Sequence, residues 1–282
     1  MKNVLIVGYG ILTKEINVHL KNAGYSTVIL SKHREKSGEV INDLREMKIS
    51  PNIILGCFKN WQDSKKFWFK NSVGILINRN NSICIEMSTL SEEYVQGWYK
   101  HIESCRGYGV ESPITGSKNG GKQGTLSAFL YYRDGIKNQE IRLFFDSFCK
   151  NIYIFSNLSN PTKFKLLYNA WGASILYSLK EFAPMIQSLE ADTFLAQTIL
   201  KSDGWMSLVC SAKLDQVLEG NFDDVHFKLG YMVKDLIYAS EWFESNQLLM
   251  FELVKNEYVK KCDGKDNFNK DFSIVAGDDS KC

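Results

Sequence analysis

The stretch VLIVGYGILTKEINVHLKNAGYSTVIL, residues 4–30, decides the fold of the N-terminal half. It opens with an apolar run at 4–7, and a Gly-x-Gly turn follows at once. Apolar residues then recur at helical spacing up to residue 20, and a second apolar run covers 27–30. This order predicts a strand, a tight turn, a helix and a second strand, which is the βαβ unit of a dinucleotide-binding domain.

The glycines of the turn have a geometric role. Gly8 permits the sharp exit from the strand, and Gly10 lets the backbone approach a pyrophosphate at the helix N-terminus. Thr13 stands where the third glycine of the pattern would be. A simple turn is the alternative interpretation. The cofactor-binding residues predicted here are Gly8, Tyr9, Gly10, Ile11 and Leu12.

The end of the second strand predicts which dinucleotide binds. An NAD site usually carries Asp or Glu there, bonded to the ribose 2′-hydroxyl. Here the residues are Ser31-Lys32-His33-Arg34, and the first acid is Glu35. A hydroxyl and two cations suit a 2′-phosphate, so these four residues predict NADP (NADPH) rather than NAD. A solvated basic turn is the alternative.

Further apolar runs at 53–55, 73–77 and 83–85 predict three more strands of an α/β sheet. Met87-Ser88-Thr89 closes the last run. Because ligands lie at the carboxyl ends of the strands in such sheets, Thr89 is a predicted cofactor contact. The equal alternative is that Thr89 is a helix N-cap, since Glu92 stands at capping-box distance.

Composition limits the class of protein. The chain has 282 residues, which suggests about two domains, and 44% of them are hydrophobic. The 34 Lys plus Arg against 32 Asp plus Glu give no basic surface for nucleic acid. No apolar run is long enough for a membrane span, and no Cys/His cluster has metal-ligand spacing. The seven scattered Cys predict reduced thiols and a cytoplasmic location.

Residues 165–200 run almost without helix breakers and are largely apolar. Such a helix is too hydrophobic for a protein surface and belongs in the middle of a bundle or a dimer. Pro184 lies within this pattern and is expected to kink or end the helix.

Several motifs then occur in a characteristic order. They are Met87-Ser88-Thr89, residues 111–117 (ESPITGS), Gly124-Thr125-Leu126, a Lys-x-x-x-Asn pair at Lys165 and Asn169, and Lys234-Asp235-Leu236. This order resembles the β-hydroxyacid dehydrogenase family, which includes 3-hydroxyisobutyrate and 6-phosphogluconate dehydrogenases and has imine reductases as relatives. The resemblance covers nearly the whole chain.

The resemblance implies a fold and an activity. The fold is an N-terminal α/β Rossmann-type domain, residues 1–160, followed by an all-α domain, residues 161–282, through which family members dimerise. The activity is hydride transfer between NADPH and a small oxo or semialdehyde acid. The implied catalytic residues are Lys165, Asn169, Thr115 and Gly116, and Lys234 is implied to lie close to the cofactor.

The chemistry of these residues agrees with those roles. A partly desolvated Lys165 should have a lowered pKa, which suits a general acid or base near neutral pH. Asn169 lies one helical turn further on and can orient the substrate oxygen. Thr115 and Gly116 offer a hydroxyl and a backbone N–H to a carboxylate. The alternatives are a surface lysine at 165 and an exposed ion pair at Lys234.

The chain also departs from the family pattern. Residues 156–164 lack the family's glycines and contain Pro161, and Glu111 replaces the Asp of the substrate motif. These differences keep two alternatives open. One is an NADPH-dependent imine or other carbonyl reductase in specialised biosynthesis, and the other is an NADP-binding protein without catalysis.

Overall fold

The computed structural model describes residues 2–31, 39–116, 118–135, 137–242, 248–264 and 266–277. The chain divides into two units, residues 1–165 and 166–282. The predicted boundary at 160/161 coincides with the start of a long helix, whereas the units divide five residues later, inside that helix.

The first unit is built on a parallel sheet of six strands. These are β1 (Asn3–Val7), β2 (Ser26–Leu30), β3 (Val40–Ile41), β4 (Ile53–Gly56), β5 (Ile83–Glu86) and β6 (Tyr108–Glu111). Their order is β3-β2-β1-β4-β5-β6, and every neighbouring pair is parallel. The chain order therefore reverses beside β1, which is where such sheets bind ligands. The predicted Rossmann-type fold is confirmed.

Helices cover this sheet and fill its connections. They are α1 (Ile11–Asn22), α2 (Trp61–Trp68), α3 (Asn71–Asn80), α4 (Glu92–Ser104), α5 (Lys118–Gln123) and α6 (Asn138–Asp146). Successive residues of β1 alternate between two cores: Val4 and Ile6 pack in one, Leu5 and Val7 in the other. Both faces of the sheet are thus buried, as the continuous apolar strands require.

The predicted strand at 73–77 is wrong, because these residues form the middle of α3. Only Val73 and Ile77, four residues apart, are buried in this segment, while Ile75 is half exposed. That is the pattern of one helix face. The parallel strands β4 and β5 also need a crossover of a dozen or more residues, and α2 and α3 supply it.

A second, smaller sheet follows in the same unit. It consists of β7 (Ile114–Thr115), β8 (Leu126–Leu130) and β9 (Cys149–Ile154), in the order β7-β8-β9. β7 runs antiparallel to β8, and β8 runs parallel to β9. This sheet holds the segment that the sequence marks as the substrate motif.

The described residues of the second unit form helices joined by loops, with no β-strand, which confirms the predicted all-α region. Its helices are the remainder of α7 (Asn160–Gln187), then α8 (Thr193–Ser202), α9 (Ser207–Glu219), α10 (Leu229–Trp242) and α11 (Leu249–Cys262). Pro184 lies inside α7, which ends three residues later. Leu176, Leu179 and Leu214 are in its core.

Asp271 fastens the end of the described chain to this unit. Its carboxylate, fully buried, accepts bonds from Lys213 Nζ (2.7 Å), His226 N (2.8 Å) and Ser273 N (3.0 Å). Burial alone would raise the pKa of Asp271, but the bonds from Lys213 and Ser273 lower it below its usual value. The segment before α10 and the chain after α11 are thereby held to α9.

Within the described residues, no helix combines the length and the apolarity needed to cross a bilayer.

Candidate active site

The turn after β1 has the geometry that the glycines predict. Gly8 has φ +100°, and a Cβ there would lie 2.3 Å from the carbonyl oxygen of Cys57. No side chain fits that position, because both the backbone conformation and the space forbid it. Gly8 also donates its N–H to the carbonyl of Leu30 (3.0 Å), which ties the turn to the end of β2.

Thr13 explains how the helix starts without a third glycine. Its hydroxyl accepts a bond from Gly10 N (2.8 Å) and donates one to Gly10 O (3.0 Å), and its side chain is fully buried. The hydroxyl therefore closes the first turn of α1. Ile11 is half exposed, and this first turn contains no acidic residue. The helix N-terminus, with Gly10 as its N-cap, suits an anion.

The predicted residues for the 2′-phosphate are only partly visible. Ser31 donates its backbone N–H to Ile41 O (2.9 Å), and its carbonyl accepts from Asn42 Nδ2 (2.8 Å). Lys32, His33 and Arg34 lie outside the described residues.

A buried carboxyl group organises the loops at the ends of β4 and β5. Glu86 is 1% exposed and accepts bonds from Ser64 Oγ (2.6 Å), Trp68 Nε1 (2.8 Å) and both N (3.0 Å) and Oγ (2.5 Å) of Ser88. Burial raises the pKa of Glu86 to about 7, although these bonds oppose the shift. Ser88 Oγ in turn accepts from Phe58 N (2.7 Å), which joins the two loops.

Thr89 follows this network at the carboxyl edge of the sheet and is half buried. The alternative that Thr89 caps a helix is wrong, because α4 begins at Glu92 and its N-cap residue is Ser91.

The substrate motif spans β6 and β7. Thr115 is the last residue of β7, opposite Ser127 of β8. Gly116 follows with φ +139°, and a Cβ there would lie 2.6 Å from Leu126 Cδ2. A glycine is therefore required at 116. Ser117 lies outside the described residues.

The glycine-rich segment after this motif packs on the cofactor helix. His19 of α1 donates from Nε2 to the carbonyl oxygens of Gly121 (3.0 Å) and Lys122 (3.1 Å). A Cβ on Gly121 would contact Leu12 at 3.1 Å. The predicted cofactor and substrate segments thus meet within the first unit.

Lys165 lies near the start of α7 and its side chain is only 7% exposed. The alternative of a surface lysine is therefore wrong. The turn that precedes it is held by Glu111, which ends β6. The Glu111 carboxylate accepts from Ser159 N (2.8 Å) and Thr162 N (2.9 Å).

The second unit brings together Asn169, Lys234 and Asp235. Asn169 Nδ2 donates to Asp235 Oδ2 at 2.6 Å, and Lys234 Nζ donates to Asp235 Oδ1 at 2.5 Å. Asp235 is 1% exposed, so the alternative of an exposed ion pair is wrong. The carboxylate engages one of the two N–H groups of the Asn169 amide and so fixes which way that amide faces.

Sequence reasoning missed three residues of these networks. Glu86 occupies the Asp position of the family's Asp-x-Ser-Thr motif, here Glu86-Met87-Ser88-Thr89. This match could have identified Glu86 from the sequence. Glu111 was noticed only as a departure from the motif, and Asp235 only as a neighbour of Lys234. Among the described residues, no group of three metal-ligating side chains occurs.

Comparison with known proteins identifies the family. A family model, the NAD binding domain of 6-phosphogluconate dehydrogenase, matches residues 3–148. The chain belongs to the β-hydroxyacid dehydrogenase family. This family and its structural neighbours are NAD(P)-dependent dehydrogenases and reductases.

Individual relatives and solved structures also resemble this chain. The cytokine-like nuclear factor N-PAC of Mus musculus is 23% identical over 97% of this chain, which spans about half (50%) of that relative's length. A 3-hydroxyisobutyrate dehydrogenase from Salmonella typhimurium is 14% identical, with TM-score 0.82 over 98% of this chain and 99% of its own. Psf3 in complex with NADP+ and 2-OPP is 17% identical, with TM-score 0.83 over 97% and 98%.

Proposed function

We propose that this member of the β-hydroxyacid dehydrogenase family transfers a hydride between NADPH and a small oxo or semialdehyde acid. The observation that carries the proposal is the buried Lys165, four residues before an Asn whose amide is fixed by a buried Asp. A buried lysine beside the substrate can supply the proton that reduction of a carbonyl requires.

The residues of the first unit fit a dinucleotide. Gly8 leaves no room for a side chain in the turn, and α1 starts with Gly10 and Ile11 exposed and without an acidic residue. Backbone N–H groups of such a turn would hold the pyrophosphate. When bound, the nicotinamide ring supplies the hydride.

Each proposed catalytic residue has a separate task. Lys165 donates a proton to the substrate oxygen in reduction and accepts it in oxidation. Asn169 orients that oxygen through its amide, which Asp235 holds in one orientation. Thr115 and Gly116 bind the carboxylate of the substrate through a hydroxyl and a backbone N–H. We assign Thr89 and Lys234 to the cofactor side of the site.

The test is NADPH oxidation against a panel of semialdehydes, 2-oxo acids and cyclic imines. We expect Lys165→Ala to lower kcat by about a hundredfold or more while NADPH still binds. Lys180→Ala is the matched control, because Lys180 also lies on α7 but pairs with Glu257 (3.3 Å). Turnover that survives in Lys165→Ala would refute the role of Lys165.

The preference for NADP rests on the sequence Ser31-Lys32-His33-Arg34. We expect NADPH to bind at least about tenfold more tightly than NADH, because two cations favour the 2′-phosphate. Neutralising Lys32 and Arg34 together should remove most of that difference, whereas Arg79→Ala on α3 should not. Equal affinity for NADH and NADPH would overturn the assignment.

Two other functions have support. Turnover of imines alone would make the protein an imine reductase, the chemistry of family relatives that the sequence also resembles. A role without catalysis is favoured by a different observation: relatives named as nuclear factors match nearly the whole chain. NADPH binding without turnover of any substrate would support that role.

We also propose that the protein is a cytoplasmic homodimer formed through its helical region. The second unit exposes several large apolar side chains, which are Phe182, Met185, Phe194, Trp205 and Leu208. Apolar surface of this kind is typical of a protein–protein interface. The family resemblance implies that the partner is a second copy of this chain. Analytical ultracentrifugation should show a dimer that Phe194→Glu weakens, and a monomeric parent would refute it.

A further inference from the structure

The start of the helix that carries Lys165 depends on one carboxylate. Glu111 is 1% exposed, and its two oxygens accept from two different backbone N–H groups, those of Ser159 and Thr162. Ser159 directly precedes α7 and Thr162 lies in its first turn, where backbone N–H groups have no intrahelical acceptor. Both donors are buried residues. Without Glu111, two buried N–H groups would lose their partner, which is costly.

The consequence reaches Lys165 through the helix itself. Thr162 precedes Lys165 by three residues, so both lie on neighbouring turns of one rigid helix. The residue before this turn, Ser159, has a left-handed backbone conformation with φ +74°, which a residue other than glycine rarely adopts. Lys163 adds a side contact, since its ammonium pairs with Glu92 of α4 at 2.6 Å. Glu111 is thus one of the groups that fix the helix start on which Lys165 lies.

We propose that Glu111 is the positioning residue for Lys165, and that its ionised form holds the start of α7 where Lys165 can transfer a proton. Protonation removes one of the two acceptor oxygens and loosens this turn. The inference rests on the proposed function of Lys165 and adds to it a control over the rate.

The surroundings of Glu111 place this change near neutral pH. Burial raises the pKa of Glu111 to about 7, the bonds from Thr162 and Ser159 oppose that shift, and the charge of Glu92 adds to it. Titratable groups on the adjoining elements include Glu86 on β5, Lys163 and Lys165 at the start of α7, Tyr108 on β6, and Tyr131, which forms a backbone bridge with Glu111.

The first experiment compares the parent with Glu111→Gln across pH. In the parent, kcat should rise through an acid limb with an apparent pKa near that of Glu111. Because Gln offers only one acceptor oxygen, the variant should be slower by about tenfold or more at alkaline pH. Its acid limb should be absent, and its KM for NADPH should stay unchanged. A parental rate and pH profile in the variant would overturn the proposal.

Glu92→Gln is the matched control. This variant removes the charge of Glu92 at the start of α4, leaves both bonds to Glu111 intact and keeps a side-chain oxygen for Lys163. The alkaline rate should therefore fall far less than in Glu111→Gln. The acid limb should move to lower pH, because the charge of Glu92 raises the pKa of Glu111. A limb that stays in place, or moves to higher pH, would contradict the assignment of the limb to Glu111.

Two further measurements separate this inference from the proposed function. If the parent reduces none of the substrates, hydrogen exchange of the amides at residues 159–165 still tests the role of Glu111. Protection should be higher at alkaline than at acid pH in the parent and independent of pH in Glu111→Gln. Protection that is the same at both pH values in the parent would refute the proposal.

If Glu111→Gln does not fold, Glu111→Asp replaces it, and its shorter side chain should lower kcat while the acid limb remains. A parental kcat in Glu111→Asp would count against the proposal.

Discussion

Ser159 shows how a single residue is strained where the proposed active site is built. It has φ +74° and is fully buried, although it is not a glycine. A left-handed backbone conformation costs an ordinary residue about 1–2 kcal/mol. The bond from its N–H to Glu111 helps to hold this conformation.

The free energy of unfolding of variants at position 159 should therefore depend on how easily the new residue adopts a positive φ. Ser159→Gly keeps the N–H and relieves the strain, so we expect its free energy of unfolding to match or exceed that of the parent. Ser159→Val places a β-branched side chain in the same conformation and should destabilise by about 2 kcal/mol or more. Urea denaturation of the three proteins measures both effects. A valine variant as stable as the glycine variant would show that residue 159 is not strained.

At the scale of elements, Asp235 connects two helices of the second unit. It lies on α10 and accepts from Asn169 on α7 and from Lys234. We expect Asp235→Asn to lower kcat by about tenfold, because a side-chain amide has one acceptor oxygen and cannot accept from both Asn169 and Lys234. Affinity for NADPH should change much less.

Asp224→Asn is the matched control for this substitution. Asp224 lies in the same unit, its side chain is 75% exposed, and its carboxylate lies 3.5 Å from His226 Nε2. Steady-state kinetics should give the parental kcat for this variant. Similar losses in both variants would mean that the effect of Asp235→Asn is not due to Asn169.

The sequence predicted correctly the strands whose apolar runs are bounded by clear turn residues. Runs such as 4–7 and 83–85 follow or precede clear turns, and each is a strand. The run 73–77 was ambiguous, because five apolar residues suit a buried strand or a helix equally well. The crossover between β4 and β5 decides the matter, and it depends on a pairing that no local pattern reveals.

For the molecule as a whole, the sequence named candidate catalytic residues but not the groups that support them. Lys165 and Asn169 were named through a resemblance to the family's Lys-x-x-x-Asn pair, but Glu86 and Glu111 were not named as site residues. Their importance comes from neighbours distant in the chain: Ser64 and Trp68 for Glu86, and the start of α7 for Glu111. Burial of a carboxyl group is a property of the folded sheet and cannot be read from one segment.

These two carboxyl groups should determine how stability varies with pH. Both have pKa values raised by burial to about 7, so the native state binds more protons than the unfolded state between the ordinary glutamate pKa and that value. The free energy of unfolding should fall as pH rises through this window, by up to about 3 kcal/mol per group. Asp271, whose pKa is lowered, acts in the opposite sense at the acid end.

Urea denaturation at a series of pH values measures this dependence. Glu86→Gln should flatten it by about half, since Gln does not ionise. Stability that rises with pH across the same window, or a slope that Glu86→Gln leaves unchanged, would contradict the raised pKa values. If the window is confirmed, the ionised Glu111 that is proposed to position Lys165 is also the less stable form of the protein.

The bonds from His19 to Gly121 and Lys122 bear on how such proteins can be recombined. They join the helix after the first glycine turn to the segment after the substrate motif, more than a hundred positions later. In a chimera with a substrate loop from another protein, a different main-chain path at 121–122 would remove both bonds from His19. Exchanging specificity between homologues therefore means transplanting α1 and that segment as a matched pair.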